Sequence, residues 1–229
     1  MHISVIIPVL NESERIGQLI DFLRDNSSNA TLEIIVVDGG STDHSVQNAT
    51  EKDAIVLHAP TGRAVQMNMG ASIATAPILY FVHADTLPPH DFVAQIQQAM
   101  HQGYSMGCFR SKFDSPNFIM KINSWSTRFY FMFCQGGDKT FFITKQVFVQ
   151  MKGYDERYVI MEEYDFLRRV KKAGMRFLIM PAEVKVSTRK YQGRSWLKVQ
   201  IANLVVFNAW QWNLAQPEKL KDLYKKLLG

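Results

Sequence analysis

The sequence predicts an α/β chain built around a mixed, mainly parallel sheet flanked by helices. Two apolar runs carry this expectation, Ile3-Ser4-Val5-Ile6-Ile7 and Leu32 to Val37. Neither alternates polar with apolar residues, so both describe strands buried on both faces. Between them Ile16, Leu19, Ile20 and Leu23 fall on one helical face, which supplies the crossover that a parallel pair requires. With 229 residues, 47% of them apolar, the chain suffices for one sizeable core, and a single domain over 1–229 is expected.

The elements follow in order. Pro8 halts the first run, and Ser13 reads as the N-cap of the first helix. The second run ends in Asp38-Gly39-Gly40-Ser41-Thr42-Asp43. Ala54 to Leu57 reads as a third strand and Val65 to Ile73 as a helix opening after Gly62. Ile78 to Val82 is a fourth strand ending in His83-Ala84-Asp85, after which Pro88 and Pro89 start a helix through Phe92, Ile96 and Met100. Residues 1–101 therefore read as a doubly wound nucleotide-binding half. No Gly-x-Gly-x-x-Gly follows the first strand and no Gly-x-x-x-x-Gly-Lys occurs, which disfavours dinucleotide and P-loop sites.

Residues 102–194 form a second half. Met106 to Phe113 reads as an edge or mixed strand, and Phe118, Ile122, Trp125, Phe129 and Met132 recur at helical spacing. Lys139 to Thr144 reads as a strand, Gln146 to Met151 and Glu163 to Ala173 as helices, and Phe177 to Val186 as one or two strands broken by Pro181. A helical C-terminal extension occupies 195–229, interrupted at Pro217.

The formal charge of +5 suits an acidic small substrate or an anionic surface. The basic clusters at Arg168 to Lys172 and Lys219 to Lys226 read as solvated faces, and neither interleaves with aromatics, so no nucleic-acid partner is expected. Two cysteines are too few for a disulfide framework, and the N-terminus lacks a secretory leader, so the expected location is cytoplasmic. Val199 to Pro217 is uncharged but carries Gln200, Asn203, Asn208, Gln211 and Asn213, too polar for a spanning helix. Trp196, Phe207, Trp210 and Trp212 leave peripheral contact at the inner face of a membrane open. Both monomer and homodimer fit the composition.

In an open parallel sheet, ligands bind beyond the carboxyl ends of the strands. Asp38 and Asp85 each end a strand and are expected to face one crevice, although either also suits a loop or helix cap. Asp85 suits magnesium or manganese, which take few protein oxygens and complete their shell with diphosphate and water. His83 stands on the same rim, placed to bind manganese or donate to a phosphate. Arg63, after Thr61-Gly62, opens a helix where it can meet an anion, while Gln66 and Asn68 read as helix-surface residues. Glu162, Glu163 and Asp165 place three carboxylates near a helix start. One can accept a proton from an attacking hydroxyl, and an acidic first turn also favours the helix dipole without any chemistry; spacing does not choose among the three.

Taken together these residues resemble the inverting family 2 glycosyltransferases of the GT-A fold. Ile3 to Glu12 looks like the family's opening strand and Pro-x-x-Asn-Glu turn, which implies that Pro8, Leu10 and Glu12 border the nucleoside. Glu33 to Asp43 looks like the second signature, implying that Asp38 contacts the base. Leu79 to Thr86 looks like the third, with His83 where the usual Asp-x-Asp has its first acid, so the resemblance assigns metal ligation to Asp85 with His83 as assistant. His83 and the stretch Gly62 to Ala71 resemble a small bacterial subgroup described as radical-SAM- or selenodomain-associated, or arsenosugar-biosynthesis, transferases. The resemblance makes Glu163 the catalytic base with Asp165 the runner-up. It places Asp138 and Glu162 on the acceptor side and Gln192 and Arg194 in a diphosphate-contacting segment. It implies a nucleotide-diphosphate donor, UDP-sugar favoured, a Mg2+ or Mn2+ cofactor, and transfer of one sugar to a hydroxyl of a small-molecule or lipid-linked acceptor.

Two other readings are kept. A sugar-phosphate nucleotidyltransferase needs a Gly-rich basic loop after the first strand, where only Gly17 follows Pro8 to Glu14. A non-catalytic nucleotide-sugar-binding module predicts ligand binding without hydrolysis or transfer.

Overall fold

A computed structural model describes residues 1–28, 30–115, 118–134, 139–189 and 195–229. Its strands are β1 (His2–Val9), β2 (Thr31–Asp38), β3 (Ile55–His58), β4 (Ile78–Phe81), β5 (Thr86–Leu87), β6 (Met106–Phe113), β7 (Phe141–Thr144) and β8 (Leu178–Val186). Its helices are α1 (Ile16–Asp25), α2 (Ser45–Thr50), α3 (Arg63–Ile73), α4 (Phe92–His101), α5 (Phe118–Ser126), α6 (Lys145–Gln150), α7 (Glu162–Lys172), α8 (Trp196–Gln211) and α9 (Leu220–Leu228).

All eight strands join one sheet in the order β3-β2-β1-β4-β7-β6-β8-β5. β1, β2, β3 and β4 run parallel; β7 is antiparallel to both β4 and β6, and β8 is parallel to β6. The order reverses at β1, whose neighbours are β2 on one side and β4 on the other. Such a reversal splays the connecting loops apart and leaves a crevice at the carboxyl ends of the strands. This is the mixed α/β sheet with flanking and C-terminal helices expected for a GT-A fold.

Strand pleating explains the unbroken apolar runs. Ile3, Val5, Ile7 and Val9 pack on the α1 and α4 face, with Leu19, Ile20, Phe92 and Ile96. Ile6, with Ile35 and Val37 of β2, packs on the opposite face against Met67 of α3 and Phe166 of α7. Gly70 and Gly107 mark where the layers touch most closely. A methyl on Gly107 would lie 2.6 Å from the Leu178 carbonyl oxygen and from the Phe142 ring, and β6 cannot move away without breaking its ladder. Gly107→Ala is expected to destabilise the chain by about 1–3 kcal/mol, read as a Tm loss of several degrees in calorimetry.

Several elements differ from expectation. Ser13 does not cap α1: the helix starts at Ile16 without a side-chain cap, and the Ser13 N–H donates to Asp43 instead, at 3.1 Å. Helix α2 and strand β5 carry no pattern that announces them: α2 has only six residues and buries just Ser45 and Ala49, and β5 has two. Pro181 does not break β8. The register against β6 shifts between Phe109 and Arg110, so that Pro181 and Ala182 are taken up as a bulge. The aromatic stripe from Phe118 is helical, as α5, only to Ser126; Phe118, Ile122 and Trp125 are exposed, and Met120 is the one buried residue of that helix.

Candidate active site

The two loops at the carboxyl ends of β1 and β2 are laced together. Asn11 receives the Thr42 N–H on its side-chain oxygen at 2.8 Å, while its own N–H donates to the Ser41 hydroxyl at 2.9 Å. The Glu12 N–H donates to Ser45 Oγ at 2.7 Å. Asp43 accepts from the backbone of Ser13 and Ser45 and from the Ser45 hydroxyl. The Ser45 hydroxyl leads in holding the Asp43 carboxyl well below the usual aspartate range; burial opposes this, and the backbone donors of Ser13 and Ser45 reinforce the lowering.

A carboxyl depressed by folding contributes stability that is complete above its unfolded pKa and is lost as pH falls through the folded value. Asp43→Ala is therefore expected to lower Tm by about 2–4 °C at neutral pH, as losing a cap does. The difference from the parent should shrink on acidification below the ordinary aspartate range, as thermal melts from pH 7 to pH 2 would read.

Asp38 ends β2 and is buried, accepting from Gly40 N–H at 3.0 Å and from Ser41 N–H at 3.1 Å, with His58 Nδ1 at 3.5 Å. Burial works against its charge, but the Ser41, Gly40 and His58 contacts outweigh it and hold the carboxyl below its ordinary value. Gln66 is a buried tie rather than a surface residue: its amide donates to the carbonyls of Val9 at 2.9 Å and Val37 at 2.7 Å, joining the ends of β1 and β2. Asn68 likewise pairs with the backbone N–H and carbonyl of Tyr154, fixing the turn before α7.

Beyond these ends lies a crevice of about 350 Å³. Pro8, Val9, Leu10 and Glu12 form one wall, Thr61, Gly62, Arg63 and Gln66 another, and His83, Ala84 and Asp85 the floor. Val159, Ile160 and Lys221 close it from the other half of the chain. Asp38 itself is not among the lining residues, although its neighbours in β1 and α3 are.

Arg63 Nε lies 2.8 Å from Glu162 Oε1, and Glu162 is fully buried. Burial pushes the Glu162 carboxyl up against the pull of Arg63, and neither oxygen has a hydrogen bond of good geometry. Next to it, Glu163 Oε1 lies 3.3 Å from His83 Nε2. Burial lowers the affinity of His83 for a proton, but the Glu163 contact outweighs it and holds the imidazole above its ordinary value. Behind Glu163 a small cavity of about 20 Å³ is lined by Cys108, Lys139, Tyr154 and Phe166 among others. Asp165, two residues on, is taken up differently: Arg168 reaches it at 3.0 Å and Arg169 at 2.8 Å, and Arg169 also donates to the Met151 and Gly153 carbonyls. Of the three acids, Glu163 stands at the rim of the crevice through His83, Glu162 lies beneath Arg63, and Asp165 anchors the 151–153 turn.

Asp85 is half-buried at the crevice floor and also lines a neighbouring cavity of about 300 Å³. Among the described residues its side chain has only the Thr86 hydroxyl as a hydrogen-bond partner, at 3.5 Å. No three His, Cys, Asp or Glu side chains converge among the described residues. Asp138, Gln192 and Arg194 lie outside the described residues.

Two cations at the site escape the sequence reading. Arg189, just after β8, pairs with Glu12 of the crevice wall, its Nη1 at 3.2 Å. Lys221 of α9 belongs to a cluster that reads as a solvated face, yet it lines the crevice. No local signal marks either one.

The family model described as "Glycosyl transferase family 2" matches residues 4–158. The chain belongs to glycosyl transferase family 2. This family 2 glycosyltransferase shares its fold with mannosyltransferase PcManGT from Pyrobaculum calidifontis, solved with GDP-Man and Mn2+, at a TM-score of 0.68 and 16% identity over 98% of this chain and 68% of that one. It also resembles glucosyl-3-phosphoglycerate synthase from Mycobacterium tuberculosis, solved with Mn2+, UDP and glucosyl-3-phosphoglycerate, at a TM-score of 0.59 and 17% identity over 89% and 78% of the two chains. Residues 1–349 of S. aureus TarS match at 0.63 and 16% identity over 100% of this chain and 71% of that one. No curated protein matches the sequence significantly. At these identities the solved structures speak for the fold, and the family match speaks for sugar transfer.

Proposed function

We propose that this family 2 glycosyltransferase moves one sugar from a nucleotide-diphosphate donor, UDP-sugar favoured, to an acceptor hydroxyl with inversion of the anomeric carbon. The observation that carries this reading is the 3.3 Å contact between His83 and Glu163, which ties an acid from the second half of the chain to a residue lining the crevice in the first. Residues 1–101 then bind the donor, 102–194 supply the base and acceptor side, and 195–229 close the crevice through Lys221. His83 and the Gly62–Ala71 stretch support the narrower resemblance to the radical-SAM- or selenodomain-associated bacterial subgroup.

In this reading Pro8, Leu10 and Glu12 border the nucleoside, and Asp38 contacts the base from the end of β2. Arg63, Arg189 and Lys221 supply positive charge to the diphosphate, joined by Gln192 and Arg194. Asp85 fits a hard cation, because its carboxylate stands at the crevice floor with weak hydrogen bonding, whereas Nε2 of His83 is turned to Glu163. A bound Mg2+ or Mn2+ would supply Lewis-acid stabilisation to the departing diphosphate. Glu163 accepts the proton of the acceptor hydroxyl as its oxygen bonds to the anomeric carbon and the bond to the diphosphate breaks. A single displacement from the opposite face inverts the configuration. Glu162 and Asp138 border the acceptor, which is a small molecule or lipid-linked.

The test is a panel of UDP-, GDP- and TDP-sugars, read by calorimetric binding and by metal-dependent hydrolysis, with NMR of the anomeric product. Binding of at least one donor and an inverted product are expected. Failure of every donor to bind or react would sink the reading, and a retained configuration would reject the single displacement.

A further inference from the structure

Among the described residues most of the large exposed apolar side chains fall in two stretches, 118–133 and 197–214. Helix α5 presents Phe118, Ile122 and Trp125 outward, and the loop after it presents Phe131 and Phe133, with Trp125 53% and Phe131 63% exposed. The two stretches are joined. Trp125 meets Phe129 at 4.6 Å between ring centroids, Phe129 meets Phe131 at 6.3 Å, and Phe131 stacks on Phe133 at 5.8 Å. The Phe133 carbonyl accepts from the Tyr164 hydroxyl at 3.5 Å, and Tyr164 packs on Phe207 of α8 at 5.6 Å.

Helix α8 is apolar on both sides. Val199, Ala202, Val206 and Trp210 face inward, with Val206 and Trp210 in the cluster formed with Leu220 and Tyr158, while Leu197, Ile201 and Leu204 face outward, Leu204 at 61% exposure. A helix apolar all round belongs in a core or against lipid. Sixteen residues reach about 24 Å, short of a bilayer core, and no helix among the described residues is long and apolar enough to cross a membrane. An apolar outer side on such a helix suits the plane of an interface.

Charge selects the occupant. Neither 115–137 nor 184–217 contains an Asp or Glu, whereas Lys121, Arg128 and Lys198 lie on or beside the outward faces. Arg128 sits over the Trp125 ring at 5.7 Å, an amphipathic pair of the kind that settles at a headgroup boundary. A partner rich in apolar surface and negative charge satisfies both features, and a lipid bilayer containing anionic headgroups is such a partner.

We propose that the α5–α8 face docks this chain on the surface of an anionic lipid bilayer. Tyr164 belongs to this face and directly follows Glu163, so a docked bilayer would bring lipid-borne hydroxyls to the edge of the site; that last step alone rests on the function proposed above.

The test uses the full chain, without donor or metal, and vesicles of phosphatidylcholine alone or with about one third phosphatidylglycerol. Co-sedimentation with the anionic vesicles and a blue shift of tryptophan emission, from Trp125 and Trp212 at the surface, are expected. Phe131→Ser combined with Leu204→Ser should lower partitioning about tenfold or more with an unchanged thermal melt, since interfacial binding scales with buried apolar area. Lys121→Glu combined with Lys198→Glu should weaken the anionic preference while leaving the fold intact, because charge adds to interfacial binding. Absence of binding to anionic vesicles overturns the proposal. So does a dimer in light scattering that the Phe131 and Leu204 changes dissociate without any vesicle binding, which would make the face a contact between two copies. Donor calorimetry on the same preparation is independent of lipid, so failure of docking and failure of the donor-site reading are told apart.

Discussion

Replacing Glu163 by glutamine is expected to lower sugar-transfer turnover by about 10²–10⁴-fold, the usual worth of a positioned general base, with donor affinity essentially unchanged. The amide keeps the length and shape of the side chain, so the contact with His83 Nε2 can be re-formed through the remaining carbonyl oxygen. What is lost is the ability to take a proton from the acceptor. Neighbouring α7 acids provide the contrast. Asp165→Asn removes the charge that meets Arg168 at 3.0 Å and Arg169 at 2.8 Å, so its expected effect is a lowered melting temperature with turnover largely retained in the folded fraction. Glu162→Gln removes a buried charge from beside Arg63 and bears on both fold and donor contact. Steady-state kinetics with calorimetric donor binding on the three variants separates these roles. Unchanged kcat in the Glu163 variant would remove it as the base.

The contrast also shows which parts of the site are legible in sequence. The apolar runs of β1, β2 and β4 announce themselves because a two-sided sheet leaves no room for alternation, and their loops carry Glu12, Asp38 and Asp85 to one end of the sheet. Spacing alone cannot distinguish Glu162, Glu163 and Asp165, since all three suit an acidic first turn. Their fates diverge through partners far away in the chain, namely Arg63 for Glu162 and His83 for Glu163, whereas Asp165 meets its own helix. Gln66 reads as a surface residue because polar side chains usually are. It is buried because the carbonyls of Val9 and Val37 at the strand ends need a donor. Arg189 meets Glu12 from after β8 and Lys221 enters the crevice from α9, both from far along the chain, and a lysine among several in a helix carries no sign of which one turns inward. The stripe from Phe118 to Met132 has the right period for a buried helix, and period is silent about whether the partner is protein or something else.

Asp85→Asn is the second large effect expected. If Asp85 holds the cation, nucleoside-diphosphate affinity in the parent rises on adding Mn2+, and the substitution should erase that rise while leaving the metal-free affinity near the parent's. Turnover should fall by about 10²-fold or more, since Lewis-acid stabilisation of a leaving group is worth several kcal/mol and each 1.36 kcal/mol is tenfold. The substitution is nearly isosteric, and Asp85 makes one weak side-chain hydrogen bond among the described residues, so the fold has little to lose. His83 supplies the control. Its Nε2 faces Glu163, so His83→Ala should retain the Mn2+ response and instead lower turnover by loosening the base. Calorimetry of UDP and GDP with and without Mn2+, run on both variants, decides between them. A Mn2+ response lost with His83 but kept without Asp85 would transfer the metal to the histidine, and a response kept in both would take it out of the His83–Asp85 rim altogether.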